Sequence, residues 1–229
     1  MLKGKDAESK YPSIDSSIYK DKVLFVHIPK AAGSTVSLLL YGYRIGHKYI
    51  SDYHRMDPKF TQEAFKFSFV RHPYFRFKSA YNFLKSGGMS SRDSDYLKKY
   101  DKEFESLETL AEAVEDANIR QNIVHLRPQY EYLSVPRTSL YKIHMDYIGK
   151  TEFMRESIDV IKEYIPNHLL SRFNKVVDTK YNNSKKNTKY INKEAFNKIR
   201  KVYQDDYELF GYDEWGTVEK AYDLIDYKK

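Results

Sequence analysis

The chain has 229 residues, 41% of them hydrophobic and 16% aromatic, enough to bury the core of one α/β-sized domain. It contains no cysteine, which excludes a disulfide framework and a thiolate metal site. Its net charge of +7 is spread over 39 basic and 32 acidic residues, a balance that suits a basic cleft for an anion better than a nucleic-acid-binding arm.

Residues 1–20 are polar and charged and are expected to form a flexible leader, with a single domain over 21–229. No apolar h-region opens the chain, and no run of about 18 apolar residues follows. The expectation is a soluble, cytoplasmic protein with no membrane span.

Val23 to Ile28 is a nearly continuous apolar run, the form of a central strand covered on both faces. Pro29 ends it, because proline cannot donate to a sheet ladder. Ser34 to Leu40 then reads as a buried helix. A second strand is expected at Phe67 to Val70, followed by Pro73 at a first helical position. In the helix after it, Tyr74, Phe77, Tyr81 and Leu84 form an apolar stripe.

Ser86 to Glu103 pairs glycines with serines and charges and is expected to be a mobile surface loop. Helical patterns resume at Phe104 to Glu115 and, after a short apolar piece at Asp146 to Gly149, at Phe153 to Tyr164. Asp178 to Lys189 is too polar and turn-rich to pack well alone. Asn192 then reads as the N-cap of a helix whose Phe196, Ile199, Tyr203 and Phe210 share one stripe. Strands alternating with helices predict an α/β fold: one P-loop-like domain with a central, mostly parallel sheet flanked by helices.

The stretch from Lys22 to Gly42 carries the first chemical signal. A strand that breaks into a tight turn and enters a helix leaves unpaired backbone N–H groups at the turn, where the helix dipole adds partial positive charge. Gly33 allows close backbone approach, Ser34 and Thr35 add hydroxyls, and Lys30 adds a full charge. A standard P-loop places its lysine directly before the hydroxyl residue. Here Lys30 precedes Gly33, which weakens an ATP-dependent kinase reading, and no Walker-B partner calls for a metal. The second signal is Arg71 at the end of the second strand, with Ser79 about two turns into the next helix. Arg71 and Lys30 would face one crevice if the two strands are neighbours, giving two anion sites bridged by a nucleotide. A P-loop kinase and a non-catalytic nucleotide or nucleic-acid-binding module remain as alternatives.

HIPKAAGST followed by FVRHPYFRFKSAY resembles the paired cofactor motifs of the sulfotransferase superfamily, and more narrowly those of the carbohydrate sulfotransferases grouped with heparan 2-O and chondroitin enzymes. Weaker likeness continues at His125 to Leu133, Asp146 to Met154, Asn182 to Ser184 and Val202 to Tyr212, so it spans about residues 22–212. The resemblance implies that the first motif, Lys30, Ala31, Ala32, Gly33, Ser34 and Thr35, binds the 5′-phosphosulfate of 3′-phosphoadenosine 5′-phosphosulfate (PAPS). It implies that Arg71 and Ser79 bind the 3′-phosphate. His72 stands where the family usually has Asp or Asn, and Glu152 is followed by Phe-Met rather than the commoner Asn-Leu.

The implied reaction is in-line transfer of a sulfuryl group to a hydroxyl of a carbohydrate or related acceptor, without a required metal. Lys30 would stabilise the leaving oxygen, and a histidine would serve as general base. His54 is the first candidate for the base from its place between the two motifs, and His125 the second. Glu63 or Glu152 would be considered if the base were a carboxylate. Arg92, Arg127 and Gln129 are candidate acceptor-binding residues, and Lys185 and Lys186 are possible covers for the cofactor.

Overall fold

The structure is a computed structural model that describes residues 16–137, 140–171, 191–217 and 219–222. Its centre is a parallel sheet of β1 (Val23–Val26), β2 (Phe65–Val70) and a later strand at Tyr147–Lys150, with β2 in the middle. Val23 pairs with Phe65 and Val26 with Ser68, while Phe67 pairs with Tyr147 and Val70 with Lys150. The register brings Val26, Val70 and Lys150 to one edge, so the residues that follow each strand meet there. A separate antiparallel pair, β3 (Ser134–Arg137) and β4 (Leu140–Ile143), makes Tyr147–Lys150 the fifth strand, β5.

Both faces of the middle strand are buried from Phe67 to Val70. Phe67, Phe69 and Val70 are buried, and the Phe25 and Phe67 rings lie 5.2 Å apart across the β1–β2 pair. Burial of each such side chain is worth about 1.5–3 kcal/mol. Ser68 is equally buried, and its hydroxyl donates to the Val26 carbonyl at 2.7 Å, which satisfies it.

Around the sheet lie α1 (Ser16–Lys20), α2 (Gly33–Tyr41), α3 (Ile50–Met56), α4 (Pro58–Glu63) and α5 (Pro73–Lys85). There follow α6 (Ser91–Lys99), α7 (Leu107–Ala113), α8 (Ala117–Asn122), α9 (Gln129–Leu133) and α10 (Met154–Ile161). Near the C-terminus are α11 (Lys193–Val202) and α12 (Gln204–Leu209). The α5 stripe packs on α11 through Tyr74 and Phe196, whose rings are 5.2 Å apart, and Phe77 packs near Tyr203. Among the described residues no helix is long and apolar enough to cross a membrane.

The α/β fold with its parallel centre agrees with the sequence reading, and four local expectations change. The end of the expected leader is helix α1, because Ile18 is buried in the core; residues 1–15 lie outside the described part. The expected loop Ser86 to Glu103 contains helix α6, started by a capping box. There the Ser90 hydroxyl accepts from the Asp93 N–H at 3.2 Å and the Asp93 carboxylate accepts from the Ser90 N–H at 3.0 Å. The short apolar piece near Asp146 is a full member of the sheet. Finally, Asn192 caps α11 by accepting from the Ala195 N–H at 2.8 Å, but the stripe it begins is divided at Tyr203 into two helices.

Candidate active site

The turn between β1 and α2 bends through unusual backbone geometry. Lys30 has φ 66° and Ala32 φ 59°, left-handed values that non-glycine residues adopt at a cost of about 1–3 kcal/mol each. The strain wraps Ile28 to Gly33 into a cradle. Ala32 occupies the cap position of α2 with no side-chain cap, so the first amides of the helix face the turn. Gly33 is required by its neighbour, since a Cβ there would stand 1.8 Å from Cδ2 of the His27 ring.

Lys30 lays its ammonium 3.9 Å from the centroid of the Phe83 ring. Burial pushes its pKa down to about 8, and the positive charge of Arg71 adds to that effect while Asp93 opposes it. Lys30 and Arg71 therefore face the same space, as expected for residues at the ends of adjacent parallel strands. Burial also lowers the Arg71 pKa, with Glu152 and Tyr212 opposing. Among the described residues neither the Lys30 ammonium nor the Arg71 guanidinium has a hydrogen-bonded carboxylate partner. Two neighbouring cations, under the influence of Asp93 and Glu152 but hydrogen-bonded to no carboxylate among the described residues, beside a cradle of amides, fit a ligand with two separated phosphate-like groups.

Three histidines line the other side of Lys30. The His27 and His47 rings are 4.2 Å apart, and His47 and His125 are 5.9 Å apart. Phe83, which carries the Lys30 ammonium, also lies 5.0 Å from His125. Burial pushes His27 down to about 3, with His47 adding to the effect, and takes His125 down to about 4 against the pull of Asp93. Burial lowers the His47 pKa too. All three rings are neutral at pH 7.

The tautomers of two of them follow from backbone carbonyls, which only accept. His27 Nδ1–H donates to Ile45 O at 3.1 Å, and His47 Nδ1–H donates to His27 O at 3.3 Å. Nε2 of His47 is then a bare lone pair on a half-buried ring. His125 is nearly fully buried, and its Nδ1 stands 3.8 Å from Asp93 Oδ1, too far for a hydrogen bond. Asp93 itself is an anion: burial works to raise its pKa, but the N–H groups of Met89 and Ser90 and the Ser90 hydroxyl hold its carboxylate and bring it below the usual value.

The other expected site residues fall in different surroundings. Ala31 is buried in the cradle, Ser34 is exposed at its rim, and Thr35 and Ser79 are partly exposed on α2 and α5. His54 is exposed on α3 and makes none of the ring contacts that join the other three histidines. Arg92 is exposed on α6. Arg127 is tied into the fold, with Nη1 donating to Tyr49 Oη at 2.6 Å and Nε to Gln121 O at 2.7 Å. Gln129 is fully buried against the backbone of Arg71.

Glu63 pairs with Lys22 at 3.1 Å, at the amino ends of the strands and so at the far edge of the sheet from Lys30. Glu152 accepts from the His72 N–H and from Tyr212 Oη, both at 2.8 Å. His72 gives α5 no side-chain cap; its Nε2–H donates to Trp215 O at 3.1 Å instead. Asn182 to Ser184, Lys185 and Lys186 lie outside the described residues. His47 was missed in the sequence because nothing local marks it; residues 27, 47, 93 and 125 meet only through the fold. Among the described residues no group of three or more His, Asp or Glu is placed to hold a metal ion.

A family model described as the sulfotransferase family matches residues 18–213. That span is most of the chain, and the protein belongs to this family of PAPS-dependent sulfotransferases. Comparison with curated proteins gave no match, and comparison with solved structures gave none either.

Proposed function

We propose that this enzyme transfers the sulfuryl group of PAPS to a hydroxyl of a carbohydrate acceptor, with Lys30 at the bridging oxygen and His47 as the general base. The observation that supports this most directly is that Lys30 and Arg71 lie near each other, neither hydrogen-bonded to a carboxylate among the described residues, beside a neutral histidine whose tautomer leaves Nε2 free. Arg71 and Ser79 would hold the 3′-phosphate, and the cradle from Lys30 to Thr35 the 5′-phosphosulfate. PAPS when bound supplies the activated sulfur–oxygen bond that is broken.

The residues of this chain do the rest. Lys30 carries a positive charge toward the oxygen on which negative charge grows, and the turn amides add fixed dipoles that need no reorganisation. His47 takes a proton from the acceptor hydroxyl through Nε2, while His27 O keeps the other nitrogen protonated. His125 packs behind His47, buried and neutral. In this reading the base comes from the ring cluster in preference to His54, which stands outside it on α3.

The test is a pair of measurements on the full chain. 3′-Phosphoadenosine 5′-phosphate (PAP) should raise the melting temperature at micromolar concentration, and AMP should do so far less. Radiolabelled sulfate from PAPS should then appear on a member of a panel of oligosaccharides. Equal stabilisation by PAP and AMP would sink the two-phosphate reading, and labelling confined to non-sugar hydroxyls would sink the acceptor class.

A further inference from the structure

Arg71 is the first residue beyond the sheet: β2 pairs with β5 as far as Val70 and Lys150, and the backbone of Arg71 has no ladder partner. One side chain replaces the missing strand. Gln129 Oε1 accepts from the Arg71 N–H at 2.9 Å, and Gln129 Nε2 donates to the Arg71 carbonyl at 2.9 Å. A carboxamide is the one side chain that offers an acceptor and a donor side by side, as a peptide unit does.

Gln129 is itself fixed from behind. It is fully buried at the start of α9, where Pro128 at the cap position provides no side-chain cap. The cap comes from α12: Asp206 Oδ2 accepts from the Gln129 N–H at 2.8 Å, and Oδ1 accepts from the Tyr130 N–H at 2.9 Å. Asp206 is wholly buried, so the pair of bonds is shielded from water.

We infer that Gln129, seated by Asp206, is the positioning residue that sets the place of Arg71 in the cofactor site. The inference rests on the reading of Arg71 as the 3′-phosphate ligand. Gln129 touches neither cofactor nor acceptor in this scheme; it acts through the Arg71 backbone. Its burial removes it from the acceptor-binding residues suggested by its place in the RPQ segment. The two bonds hold the peptide from which the guanidinium projects, so their loss lets the cation swing off the line to the phosphate while the cradle around Lys30 is untouched.

The experiment reads the ratio of AMP to PAP dissociation constants by calorimetry, because that ratio reports the 3′-phosphate contribution and is blind to a general loss of folded protein. Arg71→Ala should lower the ratio at least about tenfold. Gln129→Leu should lower it at least about fivefold, with AMP affinity within about twofold of the wild type. The double variant should be no worse than Arg71→Ala alone, since both changes act on one contact. If Arg71→Ala collapses the ratio and Gln129→Leu leaves it unchanged, the positioning role is wrong and the cofactor reading stands. If Arg71→Ala leaves the ratio unchanged, the cofactor reading itself fails. Should Gln129→Leu not fold, Gln129→Glu keeps the size and the acceptor but loses the donor to the Arg71 carbonyl; a wild-type ratio in that variant overturns the inference, and a lowered one supports it.

Discussion

The His27 ring fills the space beside Gly33 where any other residue would carry a side chain: a Cβ at Gly33 would lie 1.8 Å from His27 Cδ2 and 2.3 Å from Nε2. The ring is held in place by its bond to Ile45 O and by contact with His47, so it cannot step aside without disturbing the cluster. Gly33→Ala should therefore cost about 1–3 kcal/mol and remove most turnover, because the cradle must open to relieve the overlap. His27→Ala in the same chain makes room and should restore part of the stability. Thermal melts of the two single variants and the double variant check this; additive losses would mean that the two residues do not share the space.

The activity should have a pH window whose two limbs belong to different residues. His47 must be unprotonated to accept a proton, so kcat/KM falls as pH drops through its pKa, which burial holds below the ordinary histidine value. Lys30 must be protonated to stabilise the leaving oxygen, so kcat/KM falls again as pH rises through about 8. Bound cofactor adds negative charge beside Lys30 and should move that limb upward in kcat relative to kcat/KM. His47→Ala should lose about 100-fold or more in kcat and abolish the acid limb, and His54→Ala should keep both. A pH–rate profile of each variant decides between the two histidines; loss of turnover in His54→Ala with a normal His47→Ala would return the base to α3.

The strand, turn and helix around Lys30 were legible because they are local. A strand, a turn and a helix follow one another in 20 residues, and their hydrophobic runs and breaks are contiguous in sequence. The adjacency of β1 and β2 was only a condition in the sequence, and the parallel register from Val23–Phe65 to Val26–Ser68 meets it. The histidine cluster was not legible for the opposite reason. His27, His47 and His125 come from a strand end, a coil and a 3₁₀ turn, and no spacing relates them. Helix α6 had a signal, Ser90 three residues before Asp93, but the glycines and charges around it masked the capping pattern. The five-residue α9 has too little periodicity to show that Gln129 points at Arg71 rather than outward.

Under the proposed function, Lys30 and Arg71 should separate in kinetics. Lys30→Ala removes a charge used most in the transition state and should lower kcat by about 100-fold to 1000-fold with a smaller change in KM for PAPS. Arg71→Ala removes an interaction present equally in the ground state and should raise KM about 10-fold to 100-fold with kcat nearly kept. Steady-state rates over a range of PAPS concentrations distinguish the two patterns, and a reversed pattern would exchange their assignments.

Among the described residues Arg76 is the largest fully buried side chain, and its guanidinium holds the backbone between His125 and Arg127. Nη1 donates to His125 O at 3.2 Å and Nη2 donates to Arg127 O. Arg76 is also the main charge that opposes the burial of Asp206, whose pKa is pushed up to about 6. Arg76→Met leaves two carbonyls unpaired and removes that charge, so it should cost about 3 kcal/mol or more. The size of the loss should depend on pH. A carboxyl with a raised native pKa retains a proton in the native state that the unfolded state has given up, and stability declines with rising pH until the native pKa is passed. In the wild type that decline ends near pH 6. In the variant the Asp206 pKa rises further and the decline continues upward, so the gap in melting temperature between wild type and Arg76→Met should widen from pH 6 to pH 8. A gap independent of pH would show that Arg76 acts only through the two carbonyls.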